Sequence, residues 1–347
     1  MSSTTSDRPE ATLPTGRADL PPTVACLYCG GTEYELHLHG IRDRLAVTPL
    51  IWSWWRCRNC GSGVLSPFPK AEELAAYYPA VYSFAPELGR VSPVRRVLAA
   101  LEYRFFFRPQ YSSVARAILR AATGLPARPR LLDVGCGRGL RMLSFRERGC
   151  QVEGMDFQPE LAEYVRTQLG IPVTCTPVED LTRHFAADSF DLLTAIYVVE
   201  HVTDVKALLA SCFALLKPGG WLVAGVPLLD SIQAGVLGTR WLNAAEAPRH
   251  VSLPSQEGMR RVCRSIGFGE IKFLPDPLLT CAGLYALSVL PGATTTAVYT
   301  AGGAVTLVKR LLAGAITALA IPWVAIENYI LRRPGQALVI ARRPGGS

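Results

Sequence analysis

The chain has 347 residues, 49% hydrophobic and 18% charged, with 36 Lys and Arg against 28 Asp and Glu for a formal net charge of +8. It is long and apolar enough to bury a sizeable core and to hold two domains. Asp7, Arg8 and Glu10 interrupt its start, where a secretory signal would need an apolar run, so a cytoplasmic chain without a disulfide framework is expected.

Residues 1–22 are rich in Ser, Thr and Pro and are expected to form a disordered tail. Residues 23–68 carry two C-x-x-C-G knuckles, Cys26-Leu27-Tyr28-Cys29-Gly30 and Cys57-Arg58-Asn59-Cys60-Gly61. Each turn presents two thiolates to one side. Together Cys26, Cys29, Cys57 and Cys60 make a tetrahedral set that suits structural zinc and leaves no open position for catalysis. A redox pair and disulfides are the alternatives, and the remaining cysteines, such as Cys136, Cys175 and Cys212, lie scattered in apolar segments as in a reducing cytoplasm. Trp52, Trp54 and Trp55 between the knuckles can stack nucleic-acid bases or fill the small core of a ribbon, and the core reading is the stronger.

Residues 69–111 read as a basic, aromatic helical linker. From Arg90 to Arg130 the chain holds Arg95, Arg96, Arg104, Arg108, Arg116, Arg120 and Arg128, together with Phe105-Phe106-Phe107. Such a segment suits anionic lipid headgroups, a diphosphate-bearing substrate or RNA, and equally the solvated face of amphipathic helices.

From residue 112 the pattern changes to strands alternating with helices. Leu131-Leu132-Asp133-Val134 ends a buried strand, and Gly135-Cys136-Gly137-Arg138-Gly139 turns into a helix. A dinucleotide fingerprint would need glycine where Leu140 stands, and no Lys-Ser/Thr follows to make a P-loop. The remaining D-x-G-x-G-x-G resembles motif I of the class I S-adenosylmethionine (SAM) dependent methyltransferases. Gln151 to Asp156 reads as the second strand, and its terminal acid can accept both ribose hydroxyls of a nucleoside. The resemblance implies that Asp133, Gly135, Cys136, Gly137 and Gly139 hold the methionine end of SAM and that Asp156 holds the ribose, with Phe157 beside it. Val178 or Glu179 would meet adenine, since Pro177 replaces the usual acid. Ile196 and Tyr197, at the end of the fourth strand (Phe190 to Ile196), complete the expected cofactor site. Lys217-Pro218-Gly219-Gly220 and Trp221 to Pro227 read as a helix stop and fifth strand. Near-continuous apolar strands of this kind mean a parallel sheet covered on both faces.

The expected fold is therefore α/β: a Rossmann-like class I methyltransferase sheet over 112–347, a small four-cysteine ribbon before it, and a hydrophobic helical insertion before the last strand. Leu65 to Pro69 and Ala76 to Tyr82 resemble the segment just after the ribbon in a group of bacterial zinc-ribbon methyltransferases. That resemblance implies a small-molecule, sugar or lipid-linked acceptor in glycan, cell-envelope or secondary metabolism. An RNA methyltransferase gripping its substrate through ribbon and linker is the alternative, although nucleic acid is the less expected partner. A non-catalytic scaffold is disfavoured, because it would not need a glycine-bare ligand loop.

Methyl transfer from a sulfonium chiefly requires alignment, and a hydroxyl acceptor also benefits from a base. His201 follows Glu200 just beyond the fourth strand, and His250 lies in Pro248-Arg249-His250, similar to a segment of the group. Each is a candidate base, or alternatively a structural or positioning residue. In related quinone methyltransferases another acid precedes the Glu-His pair and the three look like metal ligands. Here that position is Tyr197, so no catalytic metal is expected.

Residues 276–334 form the insertion, between a sixth strand near Glu270 to Phe273 and a closing strand, Ala337 to Ala341. No charge occurs between Pro277 and Val308; Lys309-Arg310 precede the uncharged run Leu311 to Ile326, followed by Glu327 and Arg332-Arg333. Pro322 and Pro291-Gly292 are expected to break these runs short of a transmembrane span. Helices lying in the inner surface of the cytoplasmic membrane fit better than a buried lid, which would show charges on its wet face.

Overall fold

The structure is a computed structural model that describes residues 19–78, 101, 103–290 and 304–345. Most of the expected tail, Tyr82, Arg90, Arg95, Arg96, Pro291 and Gly292 lie outside the described residues, as does the side chain of Phe106.

Strands β1 (Tyr34–Arg42), β2 (Ile51–Cys57) and β3 (Gly63–Ser66) pair antiparallel in sequence order. Trp52 and Trp54 alternate along β2 onto one face, as the two-residue strand period requires. Both are fully buried, in a cluster with Ile41, Leu65, Leu229, Trp241 and Leu253. They are core residues and cannot stack bases.

Helix α1 (Arg108–Ala121) follows a wider helical turn, Tyr103–Phe107. It buries Ala115 and Ile118 and leaves most of its arginines wet. Then come β4 (Arg130–Val134), α2 (Leu140–Arg146), β5 (Gln151–Asp156), α3 (Pro159–Tyr164), β6 (Val173–Cys175) and β7 (Phe190–Ile196). Next are α4 (Val205–Leu215), β8 (Leu216–Pro227), α5 (Ile232–Leu237), α6 (Leu242–Ala245) and β9 (Ser252–Leu253). Helix α7 (Gln256–Ile266), β10 (Ile271–Pro275), α8 (Leu278–Val289), α9 (Ala304–Ala325) and β11 (Gln336–Arg342) complete the order. Ser255 caps α7 by accepting the Gly258 amide at 2.9 Å.

The large sheet runs β10-β11-β8-β7-β4-β5-β6, parallel except for β11, which pairs antiparallel with both β8 and β10. Alternate residues feed opposite faces. Leu132 and Val134 join a cluster with Leu208 of α4 and Val262 of α7, whereas Leu131 joins one with Ile118 of α1 and Phe145 of α2. The Rossmann-like sheet with helices on both faces is thus present. The chain leaves β4 toward β5 and returns through β7 on β4's other side, and this reversal makes a switch point at the carboxyl ends of β4 and β7, where open α/β sheets bind ligands.

Two features depart from the expectations. Strand β9 pairs with β3, so the ribbon's sheet takes its fourth strand from the far side of the chain. Pro322 does not break the apolar run, because α9 continues through it to Ala325 and only the last turns lose a backbone donor. Val308–Ile330 consequently forms a 23-residue helical segment whose most apolar 18-residue window has a mean hydropathy of 1.5, the one helix among the described residues long and apolar enough to cross a membrane.

Candidate active site

The loop after β4 turns on three glycines with positive φ, Gly135 (68°), Gly137 (51°) and Gly139 (70°). A Cβ at Gly135 would stand 2.7 Å from Cγ2 of Val198, while one at Gly137 would meet nothing within 4 Å. Gly137 therefore offers bare, open backbone for a ligand to approach. Asp156 at the end of β5 accepts the Gly137 amide at 2.8 Å and the Gln158 amide at 3.0 Å, one on each carboxylate oxygen. Each oxygen keeps a lone-pair direction for a second donor. Asp133 is buried and accepts from Thr194 Oγ1 at 2.6 Å, and burial lifts its carboxyl to about 6.

Of the other expected cofactor residues, Cys136 packs its side chain into a cluster with Met142 and Ala162, leaving its backbone at the turn. Phe157 is exposed beside Asp156 and meets Tyr78 edge-on at 6.2 Å. Val178 and Glu179 sit on a short helical turn, half-buried and exposed respectively. Ile196 is buried at the end of β7. Tyr197 has φ +60°, a conformation that non-glycine residues adopt rarely and that marks a constrained position. Its hydroxyl lies 2.8 Å from Gln336 Oε1 and also meets the Asp276 carboxylate, so its one proton is shared between two acceptors.

The structure brings His201 and His250 together, with ring centroids 4.6 Å apart. His201 Nδ1 lies 3.0 Å from the carbonyl of Arg249 and 3.0 Å from the Tyr78 hydroxyl; His250 Nδ1 lies 2.8 Å from the carbonyl of Asn243. A carbonyl only accepts, so each Nδ1 carries the proton and each Nε2 keeps its lone pair. Burial pushes His201 down to about 4 and His250 well below its usual value, so both rings are neutral at physiological pH. Glu200 is buried with no hydrogen-bond partner for Oε2 among the described residues, and burial lifts it to about 8. Glu200, His201 and His250 offer three ligand atoms within 4.8 Å of one another. The expectation against a metal rested on Tyr197 in place of an acid. His250 supplies a third donor from a distant loop instead, and one carboxylate with two imidazoles can hold a divalent cation.

Residues 104–271 match the family model described as a methyltransferase domain. This chain carries a class I SAM-dependent methyltransferase domain. Over 102 residues it is 43% identical to a ubiquinone biosynthesis O-methyltransferase of Xanthomonas axonopodis pv. citri (strain 306), covering 28% of this chain and 42% of that protein. Over 170 residues it is 32% identical to a protein of the same name from Rhodopseudomonas palustris (strain HaA2), covering 46% of this chain and 63% of that one. A SAM-dependent methyltransferase structure from Archaeoglobus fulgidus aligns at 20% identity and TM-score 0.45, over 71% of this chain and 99% of that chain. The chain spans less than two thirds of the length of these curated relatives.

Against the methyltransferase domain stands the four-cysteine cluster. Cys26 and Cys60 sulfurs lie 3.6 Å apart, as do those of Cys29 and Cys57, and all four fall within 4.8 Å. Sulfurs around a tetrahedral zinc at 2.3 Å are separated by about 3.8 Å, so the donor set fits that ion. The knuckles rest on the start of α7: Ser255 Oγ donates to the carbonyl of Cys60 at 2.5 Å, and Tyr28 and Ser252 hydroxyls meet at 2.8 Å. Sequence reasoning missed Asp276, Gln336 and Arg249. Asp276 left a signal as an acid closing the sixth strand, and Arg249 as the residue before His250.

Proposed function

We propose that this chain transfers the methyl group of SAM to a hydroxyl of a small-molecule or lipid-linked acceptor, at the cytoplasmic face of the membrane. The observation that carries the reading is the shared switch point: the Gly135–Gly139 turn and Asp156 lie on one side of it, and the Glu200–His201–His250 cluster follows β7 on the other. The O-methyltransferase names of the relatives support oxygen as the accepting atom and a lipid-linked molecule over a glycan.

SAM, when bound, supplies an electrophilic methyl. Asp133 and the backbone of Gly135, Cys136, Gly137 and Gly139 take its methionine end, and Asp156 takes the ribose. Phe157, Val178, Glu179, Ile196 and Tyr197 enclose the adenine side and the approach to the methyl. A ring held near pKa 4 is a weak proton acceptor, so His201 and His250 serve best by orienting the acceptor hydroxyl; together with Glu200 they would hold a divalent cation, which would supply Lewis acidity there. Cys26, Cys29, Cys57 and Cys60 hold a structural zinc.

Methyl-labelled SAM, incubated with protein and a bacterial lysate that is then fractionated, tests this. Label in the organic-soluble fraction supports the reading. Label in sugar nucleotides would shift the acceptor to the glycan class, and label in RNA would overturn the proposal.

A further inference from the structure

Both ends of the α8–α9 insertion are rooted at the carboxyl edge of the sheet. Asp276 lies two residues before α8 and Gln336 opens β11; the Asp276 amide donates to the Gln336 carbonyl at 3.2 Å, and both side chains contact the hydroxyl of Tyr197. Helix α8 is held over that edge by Gln233, whose Nε2 donates to the Cys281 carbonyl at 3.0 Å, and by Ser288, whose Oγ accepts the Leu242 amide at 3.0 Å. Helix α9 packs on α8 through Cys281, Ala282 and Val324. Among the described residues nothing covers its remaining surface. Only 17% of its most apolar window is buried, and Leu311 (66% exposed) and Leu319 (80% exposed) face outward with Val308, Leu312, Trp323 and Ile330. These positions recur at helical spacing and form one stripe.

We infer that the α8–α9 hairpin seats the protein on a phospholipid bilayer, with the stripe turned into the acyl chains of one leaflet and the carboxyl edge of the sheet facing the membrane. Four observations select lipid as the occupant. The stripe belongs to a 23-residue apolar segment of membrane-spanning hydropathy, far longer than an isolated surface patch needs. Its only acid, Glu327, is buried and bonded by the Tyr285 hydroxyl, so no negative charge faces the stripe. Basic residues bracket it, Lys309-Arg310 near the start and Arg332-Arg333 past the end, where anionic headgroups lie. Trp323 and Tyr329 are exposed near the rooted end, the depth that amphipathic aromatics prefer.

The geometry also selects the mode. Helix α8 has 12 residues and so reaches about 18 Å, short of a hydrocarbon core about 30 Å thick. With both roots on one edge of one sheet and basic residues at either end of the stripe, α9 lies along the plane of one leaflet and does not cross. An acceptor with a lipid tail would then slide along the stripe toward Tyr197; this consequence rests on the methyl-transfer reading, whereas the seat itself does not.

Flotation of the full chain with phosphatidylglycerol–phosphatidylcholine vesicles, alongside SAM binding by calorimetry, tests the seat. The wild type should float, brominated lipid should quench fluorescence that the Trp323→Phe variant lacks, and the Leu311→Glu/Leu319→Glu variant should lose at least tenfold in vesicle affinity while binding SAM normally. A wild type that stays in the soluble fraction and elutes as a dimer would assign the stripe to a second copy and overturn the inference. So would a double variant that floats like the wild type. Flotation without SAM binding would instead sink the methyl-transfer reading and leave the seat standing.

Discussion

Asp43, in the loop between β1 and β2, and Arg249, just before β9, form an ion pair at 2.7 Å with neither side chain exposed. Arg249 also reaches Glu246 Oε2 at 3.2 Å and the Tyr77 carbonyl at 3.1 Å, while Asp43 accepts the amides of Leu45, Val47 and Thr48. The pair joins the ribbon to the loop whose Arg249 carbonyl faces His201 and whose next residue is His250. Removing the guanidinium strands a buried carboxylate, which costs about 3–5 kcal/mol. Arg249→Ala should therefore lower the urea midpoint sharply. Arg249→Lys should recover only part of the loss, because an ammonium lacks the planar fork that serves three partners. An Arg249→Ala midpoint equal to that of the wild type would show that the pair contributes nothing to stability.

The same connection makes the cysteine cluster matter beyond the ribbon. Leu65 donates to the Val251 carbonyl at 3.1 Å and Val251 donates to the Glu200 carbonyl at 2.8 Å, so β3, the His250 loop and the Glu200 turn share one ladder of backbone bonds. Chelation of zinc, or Cys26→Ser, should raise amide hydrogen exchange at residues 251–253 together with the ribbon, since loosening the knuckles frees the strand next to His250. Exchange that rises only within 23–68 would mean that the ribbon unfolds alone and leaves the histidines in place.

How much of the fold and site is legible in the sequence depends on the range of the physics involved. Asp133, Gly135 and Asp156 announce themselves through spacing along one βα unit, and the structure joins them as that spacing implies, down to the Gly137–Asp156 bond. The tryptophans of β2 likewise conform to strand alternation. The His201–His250 contact could not be foreseen, because it depends on the loop before β9 folding back across the β7 turn. The Asp43–Arg249 pair spans 206 positions in sequence and leaves no local pattern. Pro322 misled because a proline inside an exposed apolar helix costs a bond without ending the helix.

Asp156 carries the cofactor assignment. Its carboxylate stabilises the Gly137 turn and, in the proposed complex, accepts the ribose hydroxyls. Hydrogen bonds to a charged group contribute about 1.5–3 kcal/mol each. Asp156→Ala should weaken SAM binding by at least about tenfold, with Asp156→Asn intermediate because its amide keeps one acceptor oxygen. Calorimetric titration checks this, and an unchanged Kd for the alanine variant would refute the ribose role.

Asp133 gives the site a pH signature. Burial holds its carboxyl at about 6, above the ordinary 3.8, despite the opposing bond from Thr194. An acid whose pKa is raised on folding keeps a proton that the unfolded chain has released, so its contribution declines as pH climbs from about 4 to about 6 and is constant above. SAM reverses the preference if its ammonium lies by Asp133, because a cation favours the ionised carboxylate. SAM affinity should accordingly rise over this window and level off above it, while the stability of the free protein falls. Other carboxylates titrate in the same range, so the decisive comparison is with Asp133→Asn. That variant should flatten both slopes, read as urea midpoint and as Kd against pH. If its two profiles parallel the wild type's, Asp133 is neither the titrating group nor a partner of the methionine end.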